Sequence, residues 1–214
     1  MIIQFSRVFL IALLLAVAYH STAFAVPSAM EQIEATVKEA LTVLQEPADK
    51  EVEGRIAQRE KLRQVIFNRF DFEQMSTGAI GRPWRKFNDS QKNRFIDLFK
   101  EVLETAYLDK IVDYQGEVFR FDKEVEESAA TRRVDSTVIS KGQEFRLSYR
   151  MLADGDQWRV FDVIIEGVSL VSNYRSQFNR LLRNESIEAL LIKLQEKVAK
   201  QKAKEVTEAV NIKP

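Results

Sequence analysis

Four consecutive segments with a period of two follow Gly116, and they constrain the fold of this 214-residue chain more than any other feature. They span residues 117–126, 131–140, 143–153 and 157–165, separated by links of two to four residues. Links this short join neighbouring antiparallel strands, because a parallel crossover needs about a dozen residues or more. The sequence therefore predicts a four-stranded antiparallel meander.

Segments with helical spacing flank this meander on both sides. Apolar residues recur at three- and four-residue steps over 33–44, 56–67, 95–107, 170–182 and 187–198. The order of helices, four strands and helices predicts an α+β fold.

Two polar positions mark where helices begin. Asp71 is predicted to be the N-cap of a short helix that ends before Gly81. The longest helix is predicted to begin near Asn88 or Asp89.

The first 25 residues have the pattern of an export signal. Arg7 precedes an uncharged apolar run over 8–17, and Ala23 and Ala25 form a small-x-small cleavage pattern. The run has about ten residues, whereas a membrane-spanning helix needs about twenty. We expect cleavage after Ala25; an uncleaved signal anchor is the alternative and would also place the body outside the cytoplasm.

Composition excludes several classes of function. The chain has no cysteine, and its one histidine, His20, lies inside the predicted signal. The mature chain therefore lacks thiol nucleophiles, a Ser-His-Asp triad and His or Cys metal ligands, and we expect no metal and no cofactor. Thirty-two Lys and Arg balance thirty-two Asp and Glu, which argues against nucleic acid as a partner.

Two stretches carry a more specific likeness. The first is FDFEQM at 70–75 with GRPWR at 81–85, and the second is WRVFDVIIEGVSLVSNYRSQF at 158–178. Together they resemble the MlaC family, also called toluene-tolerance auxiliary proteins, from about residue 29 to about residue 197. The family motif positions carried over are Phe70, Trp84, Tyr107, Asp162, Gly167, Ser169, Tyr174, Arg175 and Phe178.

The resemblance implies a periplasmic phospholipid carrier. Such a protein moves lipid between the outer-membrane lipoprotein complex and the inner-membrane Mla ABC transporter complex, and so maintains outer-membrane lipid asymmetry. It also implies a four-stranded twisted antiparallel sheet packed with helices around an apolar cavity, similar to the nuclear-transport-factor-like fold. We expect the lipid-binding domain to span 26–200, residues 201–214 to form a charged flexible tail, and the protein to be a monomer.

Apolar side chains that alternate along the strands and recur on the helices are the candidate wall of that cavity. Lipid binding draws its free energy from burying methylenes, at about 0.8 kcal/mol each, so the wall needs few polar groups. The same pattern would also suit a solid core, which is the alternative interpretation. The predicted lipid-binding residues are Leu103, Tyr107, Phe119, Phe121, Phe145, Leu147, Tyr149, Phe161, Val163, Ile165, Tyr174, Arg175 and Phe178.

Trp84, Asp162 and Gly167 are predicted to have structural roles. Asp162 lies in the most apolar strand, so its carboxylate should be paired with an arginine or hydrogen-bonded, and Arg150 and Arg175 are the candidate arginines. Arg175 could instead meet a lipid phosphate at the cavity mouth.

Two other classes of function remain open at this point. A small enzyme of similar fold could use Asp162 or Glu166 as a general base beside Tyr149 on an apolar substrate. A protein-only adaptor could use the same apolar faces to dock other envelope proteins.

Overall fold

The computed structural model describes residues 26–46 and 52–211. The predicted export signal, residues 1–25, lies outside the described residues. The elements in chain order are α1 (Ala29–Gln45), α2 (Val52–Phe67), α3 (Phe72–Ile80), a short 3-10 helix (Arg82–Lys86), α4 (Asp89–Val112), β1 (Val118–Ser128), β2 (Thr131–Ser140), β3 (Gln143–Asp154), β4 (Gln157–Ile165), β5 (Val168–Ser169), α5 (Leu170–Asn184) and α6 (Ile187–Asn211).

The strands form one antiparallel sheet in the order β1-β2-β3-β4-β5, which confirms the predicted α+β class and the meander. The prediction of four strands is wrong by one, because β5 adds a two-residue strand that pairs Val168 with Ile165. The link between them is Glu166 and Gly167, both with positive φ, +49° and +80°. Two left-handed residues make the tight turn whose twist suits a hairpin, and glycine adopts that conformation without strain.

The helix starts agree with the sequence. The Asp71 side chain accepts a hydrogen bond from the Gln74 amide at 2.9 Å, and Gly81 follows the last turn of α3 with a φ of +70°. Asn88 caps α4 in the same way, by accepting from the Gln91 amide at 2.9 Å. At the other end of the chain, α6 continues into the predicted tail as far as Asn211.

An aromatic core fills one half of the space between the helices and the sheet. Phe95 and Phe99 of α4 are completely buried, and their ring centroids lie 5.4 and 5.6 Å from the ring of Phe178. The ring of Trp84, in the 3-10 helix, lies 5.8 Å from the ring of Phe95. This core joins α3, α4, α5 and α6 to the sheet.

A partly buried hydrogen-bond network fixes α1 to the edge of the sheet. Arg69, just after α2, donates from Nη1 to Gln32 Oε1 at 2.8 Å and from Nε to Thr36 Oγ1 at 3.0 Å. Gln32 Oε1 also accepts from the Trp158 amide of β4 at 3.0 Å. Burial lowers the pKa of Arg69, because desolvation penalises its charge. The network sets where α1 lies over the sheet.

Candidate functional site

A cavity of about 740 Å³ occupies the other half of the space between the helices and the sheet. Its walls come from α1, the end of α2, the start of α3, the last turns of α4 and one face of β1–β4. The lining residues are Ile33, Thr36, Val37, Ala40, Leu41, Leu44, Ile66, Phe67, Phe70, Phe72, Met75, Leu103, Tyr107, Lys110, Ile111, Tyr114, Glu117, Phe119, Val138, Ser140, Phe145, Arg146, Leu147, Tyr149, Val163, Ile165 and Leu170. A volume of this size with apolar walls is typical of a small-molecule site.

The sheet supplies its part of the wall through alternation. Leu147 and Tyr149 of β3 project to the same face as their antiparallel partners on β4, Ile165 and Val163. Phe145, two residues before Leu147 on β3, also lines the cavity and pairs with Val138 of β2. One strand face therefore becomes one continuous apolar wall.

The cavity is closed at depth and open at one end. Leu103, Tyr149 and Val163 are buried, whereas Phe145 and Ile165 keep 40% and 39% of their surface exposed. The exposed members mark the mouth, at the end of the sheet where β5 begins. Burial raises the pKa of Tyr149, so its phenol stays neutral within the wall.

The charged lining residues, Lys110, Glu117 and Arg146, each have a polar or aromatic neighbour. Glu117 accepts from the Gln115 amide at 2.8 Å, which lowers the pKa of its carboxyl, and from Ser140 Oγ at 3.0 Å. Lys110 Nζ lies 5.4 Å from the centre of the Tyr107 ring. Arg146 Nη2 lies 4.0 Å from Glu166 Oε2. The rest of the cavity wall consists almost entirely of apolar side chains.

Eight of the predicted lipid-binding residues are brought together by this cavity. They are Leu103, Tyr107, Phe119, Phe145, Leu147, Tyr149, Val163 and Ile165. The structure therefore favours a cavity over a solid core at this end of the sheet.

The other five predicted residues do not line the cavity. Phe161 has no cross-strand partner, because Arg150 pairs with Asp162 while Met151 pairs with Val160. This β-bulge reverses the alternation of side chains between the two faces of β4, so Phe161 does not face the cavity. The guanidinium carbon of Arg150 lies over Phe161, 4.9 Å from the centre of the Phe161 ring.

The remaining four are held by other contacts. Phe121 packs on the aromatic core, and Tyr174 and Phe178 belong to that core. Burial raises the pKa of Tyr174 to about 12. Arg175 lies at the surface of α5 and donates from Nε to the Gly78 carbonyl at 2.6 Å.

The Asp162 carboxylate is hydrogen-bonded rather than paired with an arginine. Its Oδ2 accepts from Ser169 Oγ at 2.6 Å and its Oδ1 from the Val171 amide at 3.0 Å. Arg150 pairs with Glu127 instead, at 2.8 Å, and Arg175 bonds Gly78. Of the two predicted arrangements, the hydrogen-bonded one is present and the arginine pair is not, because the start of α5 supplies two donors to the carboxylate.

Sequence reasoning found Leu103 and Tyr107 of α4 but missed the part of the wall that comes from α1 to α3. The missed residues are Ile33, Thr36, Val37, Ala40, Leu41 and Leu44 of α1, Ile66 and Phe67 of α2, and Phe70 and Phe72. The apolar stripe of α1 is visible in the sequence, but a stripe shows only that a face is covered, whether by protein or by a ligand.

No cluster of His, Cys, Asp and Glu suited to a metal ion occurs among residues 26–46 and 52–211. Neither Asp162 nor Glu166 lines the cavity. Within the same ranges, no helix has the length and apolar character needed to cross a membrane.

Comparison with known proteins gives a family and a fold. The model of the family described as MlaC protein matches residues 34–196. A solved structure, the phospholipid-binding protein from Ralstonia solanacearum in complex with a phospholipid, is similar with a TM-score of 0.72. The two chains are 23% identical, and the alignment covers 82% of this chain and 99% of that chain. The α+β fold is therefore shared with that protein.

Proposed function

The chain belongs to the MlaC family, and from this premise we propose that it is a periplasmic phospholipid carrier. It takes up phospholipid at one membrane complex of the Mla pathway and delivers it to the other, between the outer-membrane lipoprotein complex and the inner-membrane ABC transporter. This exchange maintains the lipid asymmetry of the outer membrane. The observation that carries the proposal is the apolar cavity of about 740 Å³ with one open end.

The cavity suits acyl chains in its chemistry, because nearly all of its lining side chains are apolar. Two chains of about sixteen carbons represent about 25 kcal/mol of gross transfer free energy when fully buried, before ordering costs. The deep wall offers aliphatic and aromatic side chains to those methylenes, and the open mouth leaves a polar headgroup in water. The Ralstonia protein of the same fold is bound to a phospholipid, which supports this assignment.

The position of the carboxylates weighs against the enzyme hypothesis. A general base must reach a substrate in the cavity, but Asp162 is occupied by Ser169 and Val171 at the start of α5. Glu166 accepts from the Arg146 amide in the β4–β5 turn region. A carrier needs neither group to react.

Burial of this magnitude implies that a bound lipid leaves slowly on its own. We therefore expect the membrane complexes to open the carrier by separating helices from the sheet. Lipid exchange that proceeds equally fast without either complex would contradict this step.

Adjacent residues on β2 offer a matched test of the cavity. Val138 lines the cavity, whereas Ile139 is its neighbour on the other face of the sheet, and both are half-buried. Val138→Trp should fill space that acyl chains need, while Ile139→Trp adds the same bulk outside. The measurement is phospholipid phosphate per protein after detergent-free purification and solvent extraction.

A large loss of phospholipid in Val138→Trp alone is the expected result. Equal phospholipid content in the parent and both variants would place the lipid elsewhere. A parent protein free of lipid that also fails to take up added phospholipid would favour the protein-only adaptor.

A further inference from the structure

Two stretches of this neutral chain are basic and contain no acidic residue. No Asp or Glu occurs between Glu73 and Asp89, or between Glu166 and Glu185. The six cations that they contain are Arg82, Arg85, Lys86, Arg175, Arg180 and Arg183, which we call the basic face.

The fold brings the two stretches together. Arg175 Nε bonds the Gly78 carbonyl at 2.6 Å, and Asn179 Nδ2 bonds the Ile80 carbonyl at 3.5 Å, so α5 lies against the end of α3. The 3-10 helix that follows α3 is also anchored beside α5, because Trp84 packs on Phe95, the ring that contacts Phe178. The two stretches that carry the six cations therefore lie side by side.

The charge of this surface is not neutralised locally. All six side chains belong to exposed residues, and over 26–46 and 52–211 none of them forms an ion pair. The nearest acidic residues along the chain are already paired, Asp89 with Lys92 at 3.2 Å and Glu185 with Lys193 at 2.6 Å. Elsewhere arginines such as Arg63 do pair with carboxylates. Clustered cations without counterions attract an anionic surface.

The outward side of α5 indicates which kind of anionic surface the basic face binds. The exposed uncharged residues of α5 have only small or amide side chains, namely Ser172, Asn173, Ser176, Gln177 and Asn184, whereas Leu181 and Leu182 are half-buried against the core. A protein interface of standard size needs an apolar centre with anchoring side chains, which this side lacks. A layer of lipid headgroups needs only cations, each contributing electrostatic attraction near the membrane.

We propose that the basic face binds the surface of an anionic lipid bilayer. Ile165 at the cavity mouth pairs with Val168, which is 60% exposed and precedes Arg175 by seven residues, so the chain runs from the mouth to this face. This surface binding is independent of what the cavity holds.

The test is co-sedimentation of the purified protein with vesicles of equimolar phosphatidylglycerol and phosphatidylcholine, against vesicles of phosphatidylcholine alone. The test variant is Arg85→Gln with Arg180→Gln and Arg183→Gln. The control removes three exposed lysines outside the face, Lys38→Gln with Lys141→Gln and Lys200→Gln, and so has the same net charge. Thermal unfolding and phospholipid content are measured on all three proteins to check the fold and the cavity separately.

We expect the parent and the control to bind the anionic vesicles alone, and to release them at about 0.5 M salt. The test variant should bind about a hundredfold more weakly, since each cation near the surface contributes about 1 kcal/mol. No binding by the parent, or equal weakening of both variants, would overturn the proposal. Unchanged vesicle binding by a folded test variant would also overturn it, and would leave an acidic protein as the partner of this face.

Discussion

Ser169 Oγ donates a hydrogen bond of 2.6 Å to Asp162 Oδ2 and accepts one of 3.0 Å from the Ser172 amide. The hydroxyl thus links the buried carboxylate to the first turn of α5. The Val171 amide, at 3.0 Å, occupies the other carboxylate oxygen. A negative charge at a helix N-terminus is favourable, so Asp162 fixes the position where α5 leaves the sheet.

Asp162→Asn should therefore lower the free energy of unfolding by about 2 kcal/mol. Both carboxylate oxygens of Asp162 accept hydrogen bonds, whereas the asparagine amide has only one acceptor oxygen. Urea titration measures this change. Asp113→Asn, at an exposed position after α4, should change it by less than about 0.5 kcal/mol. Phospholipid content per folded protein should stay the same, and a loss of lipid without a loss of stability would show that Asp162 acts on the cargo.

Gly167→Val should destabilise the protein by about 1–2 kcal/mol, because a side chain at a φ of +80° is strained. Gly167→Asn should cost clearly less, since asparagine tolerates the left-handed region. The free energies of unfolding of the two variants are compared. Equal free energies of unfolding in the two variants would mean that the positive φ is not the reason why other residues are unfavourable at position 167.

Arg69→Met should loosen α1 over the cavity. It removes the donors to Gln32 and Thr36, at a cost of about 2–3 kcal/mol. A labelled phospholipid should then pass faster from the variant to excess acceptor vesicles. Lys38→Met, at an exposed position of the same helix, is the control, and an unchanged transfer rate in Arg69→Met would show that α1 does not retain the lipid.

Acid should weaken the fold partly through Glu60. Hydrogen bonds from Arg63, and then from Gln64, lower the pKa of Glu60 from 4.5 to about 2. Because the folded state favours the charged form, the contribution is complete above pH 4.5 and is lost as the pH falls through about 2. The Glu60 side chain is 47% exposed, so the effect should be about 0.5 kcal/mol.

The check is urea unfolding at a series of pH values in Glu60→Gln, whose stability should fall less steeply over this range. Glu53→Gln, near the exposed start of the same helix, serves as control and should follow the parent. An identical slope in Glu60→Gln and the parent would assign the acid sensitivity to other groups.

The sheet was largely predictable because alternation and short links are local properties. The bounds of β2 and β4 match the predicted segments, and Asp71 caps α3 as expected. Phe161 shows where such reasoning fails, since counting alternate residues cannot detect the bulge that reverses the face.

The extent of the cavity was only partly predictable for a different reason. Two pairs of residues have the same helical spacing, Tyr174 with Phe178 and Val37 with Leu41 of α1. In both pairs the spacing indicates only that this face of the helix is covered. In the fold the first pair packs against Phe99, whereas the second pair lines the cavity. Which side chains meet each other and which leave space depends on how the helices lie over the sheet, and α1 is set by the Gln32–Arg69 contact from distant parts of the chain.

Native mass spectrometry of the mature protein, purified from the periplasm without detergent, tests the central claim most directly. The account predicts an added mass in fixed stoichiometry that solvent extraction releases as phospholipid, and that is lost in Val138→Trp but kept in Ile139→Trp. A bare protein mass that stays unchanged after incubation with phospholipid would contradict it.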